Sequence, residues 1–205
     1  DSDKICMVTD RLDAASHNHY MIQLFLGLEE KLEIKVAGEK HIGYCIIVNK
    51  NVKHSFRTRE MLHLTCLFEP TAELSMEINH LLLDQDYYLL EESAACELRK
   101  MAYNMVETFN ISSYQIFMEK LYECFGTKFA ARKYDERITE LISMLESCDC
   151  EDHMIEKYAK ELAISSSRLS HLFREQVGIP IKSYLTMHQV EHAFIDLLEG
   201  KKISI

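Results

Sequence analysis

Glu151–Val177, EDHMIEKYAKELAISSSRLSHLFREQV, decides how the C-terminal third of this chain folds. Ile155, Tyr158, Ala159 and Leu162 recur at i, i+3, i+4 and i+7, one apolar stripe along a helix. The stripe breaks at Ala163-Ile164-Ser165, and Leu169, Leu172, Phe173 and Val177 begin another. Ser165 or Ser166 stands where a hydroxyl can accept from the free N–H groups of a helix start. Gly178 follows the last apolar position, the usual helix stop. The pattern predicts two short helices joined by three or four residues, with an outward Arg/Ser/His face on the second. That is a helix-turn-helix, although an ordinary helical pair in a bundle shares the spacing. In a major groove, the outward set would be Ser166, Ser167, Arg168, Ser170, His171 and Arg174, because Leu169, Leu172 and Phe173 are committed to the core. Arg168 has the planar fork that matches guanine O6 and N7, and Lys182 suits a phosphate.

Charge permits this reading without requiring it. The 205 residues carry a net charge of −10, which argues against a generic nucleic-acid binder, since phosphate contacts supply most non-specific affinity. Residues 1–130 hold 13 basic and 20 acidic side chains, and residues 131–205 hold 10 and 13. Between 165 and 183, however, Arg168, Arg174 and Lys182 face a single acid, Glu175. No apolar run approaches the roughly 20 residues that span a bilayer, and DSDKICMVTD is not a signal peptide. The seven cysteines are odd in number and lack CxxC spacing, which favours reduced thiols and a cytoplasmic protein. Cys148-Asp149-Cys150 is too closely spaced for a zinc knuckle.

Upstream, the period changes. From Asn18 to Phe68 the chain alternates every second residue. Tyr20, Ile22, Leu24, Leu26 and Leu28 share one face, with Met21 and Phe25 on the other. Leu32–Val36, His41–Val48, His54–Thr58 and Met61–Phe68 read as further strands, with a hairpin turn near Ala37-Gly38. This predicts five or so short strands in a sandwich or small barrel. One or two short helices are expected between Ala72 and Leu90. Leu98, Met101, Ala102, Met105 and Phe109 mark another helix, and Tyr114, Phe117, Met118, Leu121, Tyr122 and Phe125 mark the next, separated by Ile111-Ser112-Ser113 and stopped by Gly126. The width of this Met/aromatic stripe suggests that part of it buries against a second subunit. Lys128–Lys133 reads as a linker. The helix of Ile138, Leu141, Ile142 and Leu145 follows, and a long helix from Lys182 to Leu198 closes the pattern. The predicted class is α+β, with a β-rich domain at 1–90, a helical linker or dimerisation segment at 91–130 and an all-α domain at 131–205.

From Asp135 to Ile205 the chain resembles the DNA-binding domain of the AraC/XylS transcription regulators. YAKELAISSSRLSHLFREQVGI is similar to that family's first helix-turn-helix, and SYLTMHQVEHAFIDLLEGKKISI to its connecting helix. Pro180-Ile181 stands where the family usually has Ser-Pro, and Gln189 where it has Arg. The chain ends where a second such motif would begin, so the resemblance implies a partial reader with one recognition helix. Residues 17–68 resemble the cupin-like sensor domain of many such regulators. His17-Asn-His19-Tyr-Met-Ile-Gln23 is similar to the first cupin motif, and Val52-Lys-His54 to the histidine of the second. His17, His19 and Gln23 share strand parity and would line one cavity with His54, suited to a polar ligand or a weak metal site. Gln23 stands where a metal cupin has Glu, so neither a metal nor any other cofactor is expected.

The function these features imply is a ligand-responsive, homodimeric regulator that contacts promoter DNA through the major groove and answers to a small-molecule effector. A metal-dependent cupin enzyme and a dimeric interaction module without DNA are the alternatives. There is no Gly-rich phosphate loop and no Ser/His/Asp or Cys/His nucleophile arrangement, so an enzyme is not expected.

Overall fold

A computed structural model describes residues 3–57, 60–125, 134–146, 154–198 and 200. In chain order these form β1 (Lys4–Thr9), β2 (Asp13–His17), β3 (Ile22–Gly27), β4 (Leu32–Val36), β5 (Glu39–Gly43), β6 (Cys45–Val48), β7 (His54–Arg57), β8 (His63–Phe68), α1 (Glu73–Leu82), β9 (Tyr87–Leu89), α2 (Glu92–Thr108), α3 (Ile111–Phe125), α4 (Glu136–Glu146), α5 (Ile155–Glu161), α6 (Ser166–Val177) and α7 (Ile181–Leu198). The chain divides into two units, Asp1–Ala131 and Arg132–Ile205.

The first unit contains two antiparallel sheets, ordered β1-β8-β3-β6-β9 and β2-β7-β4-β5. They remain separate sheets and do not close into a barrel. Alternation along β3 explains the layering. Ile22, Leu24 and Leu26 join Cys45, Ile47, Leu64, Cys66 and Phe68 in a core completed by Leu74, Leu98, Phe117, Leu121 and Phe125 of α1–α3. Phe25, Ile46 and Val48 point the other way and meet Leu32, Ile34, Val36 and Phe56 of the smaller sheet. The larger sheet is therefore covered on both faces at its centre, where every residue of β3 and β6 is buried.

Several expectations need correction. Strands β1 and β2 precede Asn18, and β9 follows α1, so the β-rich part does not end at Phe68. The expected strand His41–Val48 is two strands. The chain leaves the smaller sheet after Gly43 and enters the larger one at Cys45. Ile111 opens α3 rather than separating helices, with Asn110 Oδ1 accepting from the Ser113 N–H at 2.9 Å. Phe109 is not on the α2 stripe. It sits past the helix end at φ 42° and is 92% exposed. Of the wide apolar stripe, Leu98, Phe117, Met118 and Leu121 are buried against the larger sheet, and Met101, Met105 and Tyr122 pack beside them half-buried.

Two contacts fix the loop after β3. The Arg99 guanidinium donates to the carbonyls of Leu28 and Glu29 and lies 4.0 Å from the Tyr44 ring centroid. Gly27 turns tightly beneath it, and a Cβ there would run into the Glu30 carbonyl oxygen.

In the second unit, Ile138, Leu141 and Leu145 of α4 are buried, and Nε2 of the buried His188 donates to the Leu145 carbonyl at 2.9 Å. The α4 start is held by Asp135, whose carboxylate takes a two-pronged Arg137 guanidinium at 2.9 and 2.8 Å. Among the described residues, no helix is long and apolar enough to cross a membrane. The Gly126 stop, the linker at 128–133, the Cys148/Cys150 pair and residues 201–205 lie outside the described residues.

Gly27→Ala should lower the unfolding free energy by about 1–3 kcal/mol, the usual cost of overpacking, read as a lower urea midpoint at unchanged slope. An unchanged midpoint would mean that the β3–β4 turn gives way freely.

Candidate functional site

Four polar side chains meet at one end of the sandwich. His17 closes β2, where it lies opposite His54 of β7. His19 sits where the chain crosses from the smaller sheet to the larger, and its carbonyl accepts from the Asn51 N–H at 2.6 Å. Asn18 Nδ2 donates to Asn51 Oδ1 at 2.8 Å and pins the same crossing. Gln23, in β3, lies opposite Val48 and Leu67. Strand parity sends its side chain inward, because the alternate residues Ile22 and Leu24 face the helices.

The three rings gather closely. Their centroids are 4.5 Å (His17–His54), 5.0 Å (His19–His54) and 5.5 Å (His17–His19) apart. One ring nitrogen from each lies within 4.8 Å of the others. The Nε2 atoms of His19 and His54 each stand 3.0 Å from Gln23 Oε1. Gln23 Nε2 donates to Thr65 Oγ1 at 3.0 Å, and that hydroxyl donates to the Leu24 carbonyl at 3.1 Å. Exposure falls from His17, which is open to solvent, through half-buried His19 to His54 at 2%. All four predicted residues therefore meet in one place.

Burial sets the protonation. Loss of hydration pushes the His54 pKa down to about 4, and the neighbouring His19 and His17 add to the effect while the hydrogen bond to Val52 opposes it. His19 is lowered for the same leading reason. Both rings are neutral at pH 7.

Sequence reading missed Thr65 and His63. Both lie on the inward face of β8, since Leu64, Cys66 and Phe68 face the helices. His63 is fully buried, and its Nε2 has no hydrogen-bond partner among the described residues. It joins the cluster through an aromatic chain: His54–Phe25 centroids at 6.3 Å, Phe25–Phe56 at 4.9 Å and Phe56–His63 at 5.0 Å. Parity with Leu64 was the available signal. A separate concavity of about 920 Å³, lined by Glu29, Lys31, Lys35, Arg57 and others, contains none of these histidines.

The second candidate surface is α6. Ser165 is the cap, accepting from the Arg168 N–H at 3.2 Å, and Gly178 ends the helix at φ 82°. Ala163, at φ 51°, turns the chain out of α5. Leu169, Leu172, Phe173 and Val177 are buried, whereas Ser167, Arg168, His171, Arg174 and Lys182 are exposed. Ser166 and Ser170 are half-buried, not fully outward, and the Ser170 hydroxyl is turned back onto the Ser166 carbonyl at 2.8 Å. Asp135, held down to about pKa 2 chiefly by Arg137, also feels the positive charge of Arg168.

No family model matches the sequence, and neither does any curated protein. Solved structures do. Unsaturated-fatty-acid-bound ToxT from Vibrio cholerae is similar over 100% of this chain and 84% of its own, with a TM-score of 0.51 and 11% identity. The fold resembles that of ToxT. The AraC-like transcriptional activator CuxR matches 87% of this chain and 69% of its own at 16% identity and a TM-score of 0.41. A conserved Streptococcus pyogenes protein of unknown function, SPY1581, matches 34% of this chain and 68% of its own at 17% identity and a TM-score of 0.31. The likeness to ToxT is one of fold, a β-rich first unit followed by a helical one.

Because the folded pKa of His54 lies below its unfolded value near 6.5, the unfolded chain binds the extra proton between those two values. Stability carried by neutral His54 is thus present above about pH 6.5 and lost as pH falls toward 4, at up to about 1.4 kcal/mol per pH unit. In ligand-free protein, urea midpoints measured from pH 7.5 to 5 should fall more steeply for wild type than for His54→Gln. Parallel slopes would contradict the burial argument.

Proposed function

We propose that this chain is a ligand-responsive, DNA-binding transcription regulator rather than an enzyme, with a cupin-like sensor in its first unit and an AraC-type helix-turn-helix reader at α5–α6. The observation that carries this reading is the division of α6. It is a capped and stopped helix with one face committed to the core and the other presenting Ser167, Arg168, His171 and Arg174. The fold shared with ToxT supports it. In the major groove, Arg168 supplies the base-reading fork from the first turn, and Lys182, at the start of α7, supplies a phosphate contact. Ser166 and Ser170, being half-buried, serve the helix frame more than the groove. The effector site is the cluster of His17, His19, Gln23 and His54, where three imidazoles and an amide converge on one point. The regulator works in the cytoplasm as a homodimer, since paired half-sites call for two readers.

A fluorescence titration against the native promoter and a scrambled duplex, at two salt concentrations, tests the reader. Arg168→Ala should cost roughly 1–3 kcal/mol on the promoter and little on the scrambled duplex. Lys182→Ala should weaken both about equally and lower the salt slope by about one. Equal losses on both duplexes for Arg168→Ala would make it a phosphate anchor, and absence of binding to either duplex at low salt would overturn the reading.

A further inference from the structure

Away from the histidine cluster, two free thiols face each other across the larger sheet. Cys6 of β1 and Cys66 of β8 are directly opposed partners in an antiparallel pair. Opposed residues in such a pair stand about 4.5 or 5.5 Å apart at Cα, within the roughly 4.4–6.8 Å that a disulfide spans, and their side chains share one face. The Cys66 thiol donates to Cys6 Sγ at 2.6 Å, so the sulfurs are already in contact. The two residues are 60 positions apart in sequence. Only the fold makes them neighbours.

Their surroundings differ. β1 is an edge strand of its sheet, and Cys6 is half-buried there. Cys66 is fully buried in the core beneath α1–α3. A small solute therefore meets Cys6 first. The S–H that Cys66 donates holds the Cys6 thiol below its ordinary value, and the Lys4 ammonium acts in the same direction, against the loss of hydration. Lys4 lies two residues before Cys6 in β1, at the same strand parity. Burial pushes the Cys66 thiol up. Cys45 belongs to the same core but sits in β6, two strands beyond β8. That is roughly 9–10 Å away, too far for either sulfur to choose it.

We propose that Cys6 and Cys66 form an oxidative modification site for hydrogen peroxide, whose product is a disulfide that fastens the edge strand β1 to β8. The Cys6 sulfur attacks one peroxide oxygen as a thiolate and the O–O bond breaks. The departing hydroxide takes up the proton that Cys6 released and leaves as water, with Cys6 left as the sulfenic acid. The Cys66 sulfur then attacks the Cys6 sulfur, the S–O bond breaks, and a second water leaves with the Cys66 proton. Two thiols are oxidised and one peroxide is reduced to two waters. The bond restrains the unfolded chain, so the oxidised protein resists urea better than the reduced one. The inference rests on the first unit alone and stands whether or not α6 reads DNA.

The test uses the full chain, reduced, desalted and exposed to a small excess of hydrogen peroxide. The remaining thiols are alkylated in urea and the peptides mapped by mass. One linkage is expected, joining the Cys6 and Cys66 peptides of a single chain and reversed by dithiothreitol. The urea midpoint should rise on oxidation and return on reduction. In Cys66→Ser, Cys6 should stop at the sulfenic acid, which dimedone traps. In Cys6→Ser, oxidation of Cys66 should slow by about tenfold or more, because the reachable sulfur is gone, and the midpoint shift should vanish. Urea curves of the reduced variants show whether each keeps its fold, and the wild-type map decides the site if one does not. Linkage of Cys6 or Cys66 to another cysteine, linkage between chains, or recovery of both as free thiols after peroxide treatment would overturn the proposal. Oxidation of Cys66 at an unchanged rate in folded Cys6→Ser would overturn it as well.

Discussion

The first unit depends on one constraint: the central strand β3 of its larger sheet is covered on both faces, so no polar side chain on that strand can turn to water. Gln23 is only 7% exposed in a strand whose every residue is buried. Its amide must be satisfied from within, and Thr65 from the neighbouring strand and two imidazoles from outside the sheet surround it. An unsatisfied buried amide would cost about 1–3 kcal/mol.

The same constraint explains the helices. A sheet left bare on its second face would expose Ile22, Leu24, Leu26, Ile47, Leu64 and Phe68, more apolar surface than a soluble sheet carries. α1, α2 and α3 cover it, and much of the Met/aromatic stripe is spent on that cover. What α2, α3 and the turn between them leave outside is Phe109, Ile111 and Ile116, at 92%, 68% and 47% exposure. Within that stripe Leu98 and Leu121 are committed to the chain's own core, while Met101, Met105 and Tyr122 stay half-buried.

Legibility in the sequence followed the strength of the local signal. The α5–α6 pair could be read almost residue by residue, because its apolar period, capping serine and terminal glycine all agree. The inward parity of Gln23 is likewise visible, and the His17-Asn-His19 and Val52-Lys-His54 stretches mark the other three cluster residues. What escaped was non-local. β1 and β2 are short, with neither face fully buried, so their alternation is faint. β9 is three residues long and exists through its pairing with β6. The break at Tyr44, where the chain changes sheets, leaves no mark in an apolar run that stays buried on both sides. Thr65 and His63 were missed because the role of each comes from the partner across the sheet. The orientation of the Gln23 amide, on which the chemistry of the cluster turns, lies beyond any sequence pattern.

The central claim is that α6 reads DNA in a chain whose first unit takes an effector at the histidine cluster. The most direct measurement is hydrogen exchange of the full chain with and without saturating promoter duplex. Protection is expected across α6 and the start of α7, where Ser167, Arg168, His171, Arg174 and Lys182 are exposed. Unchanged exchange across α6 while the duplex is bound would contradict the claim.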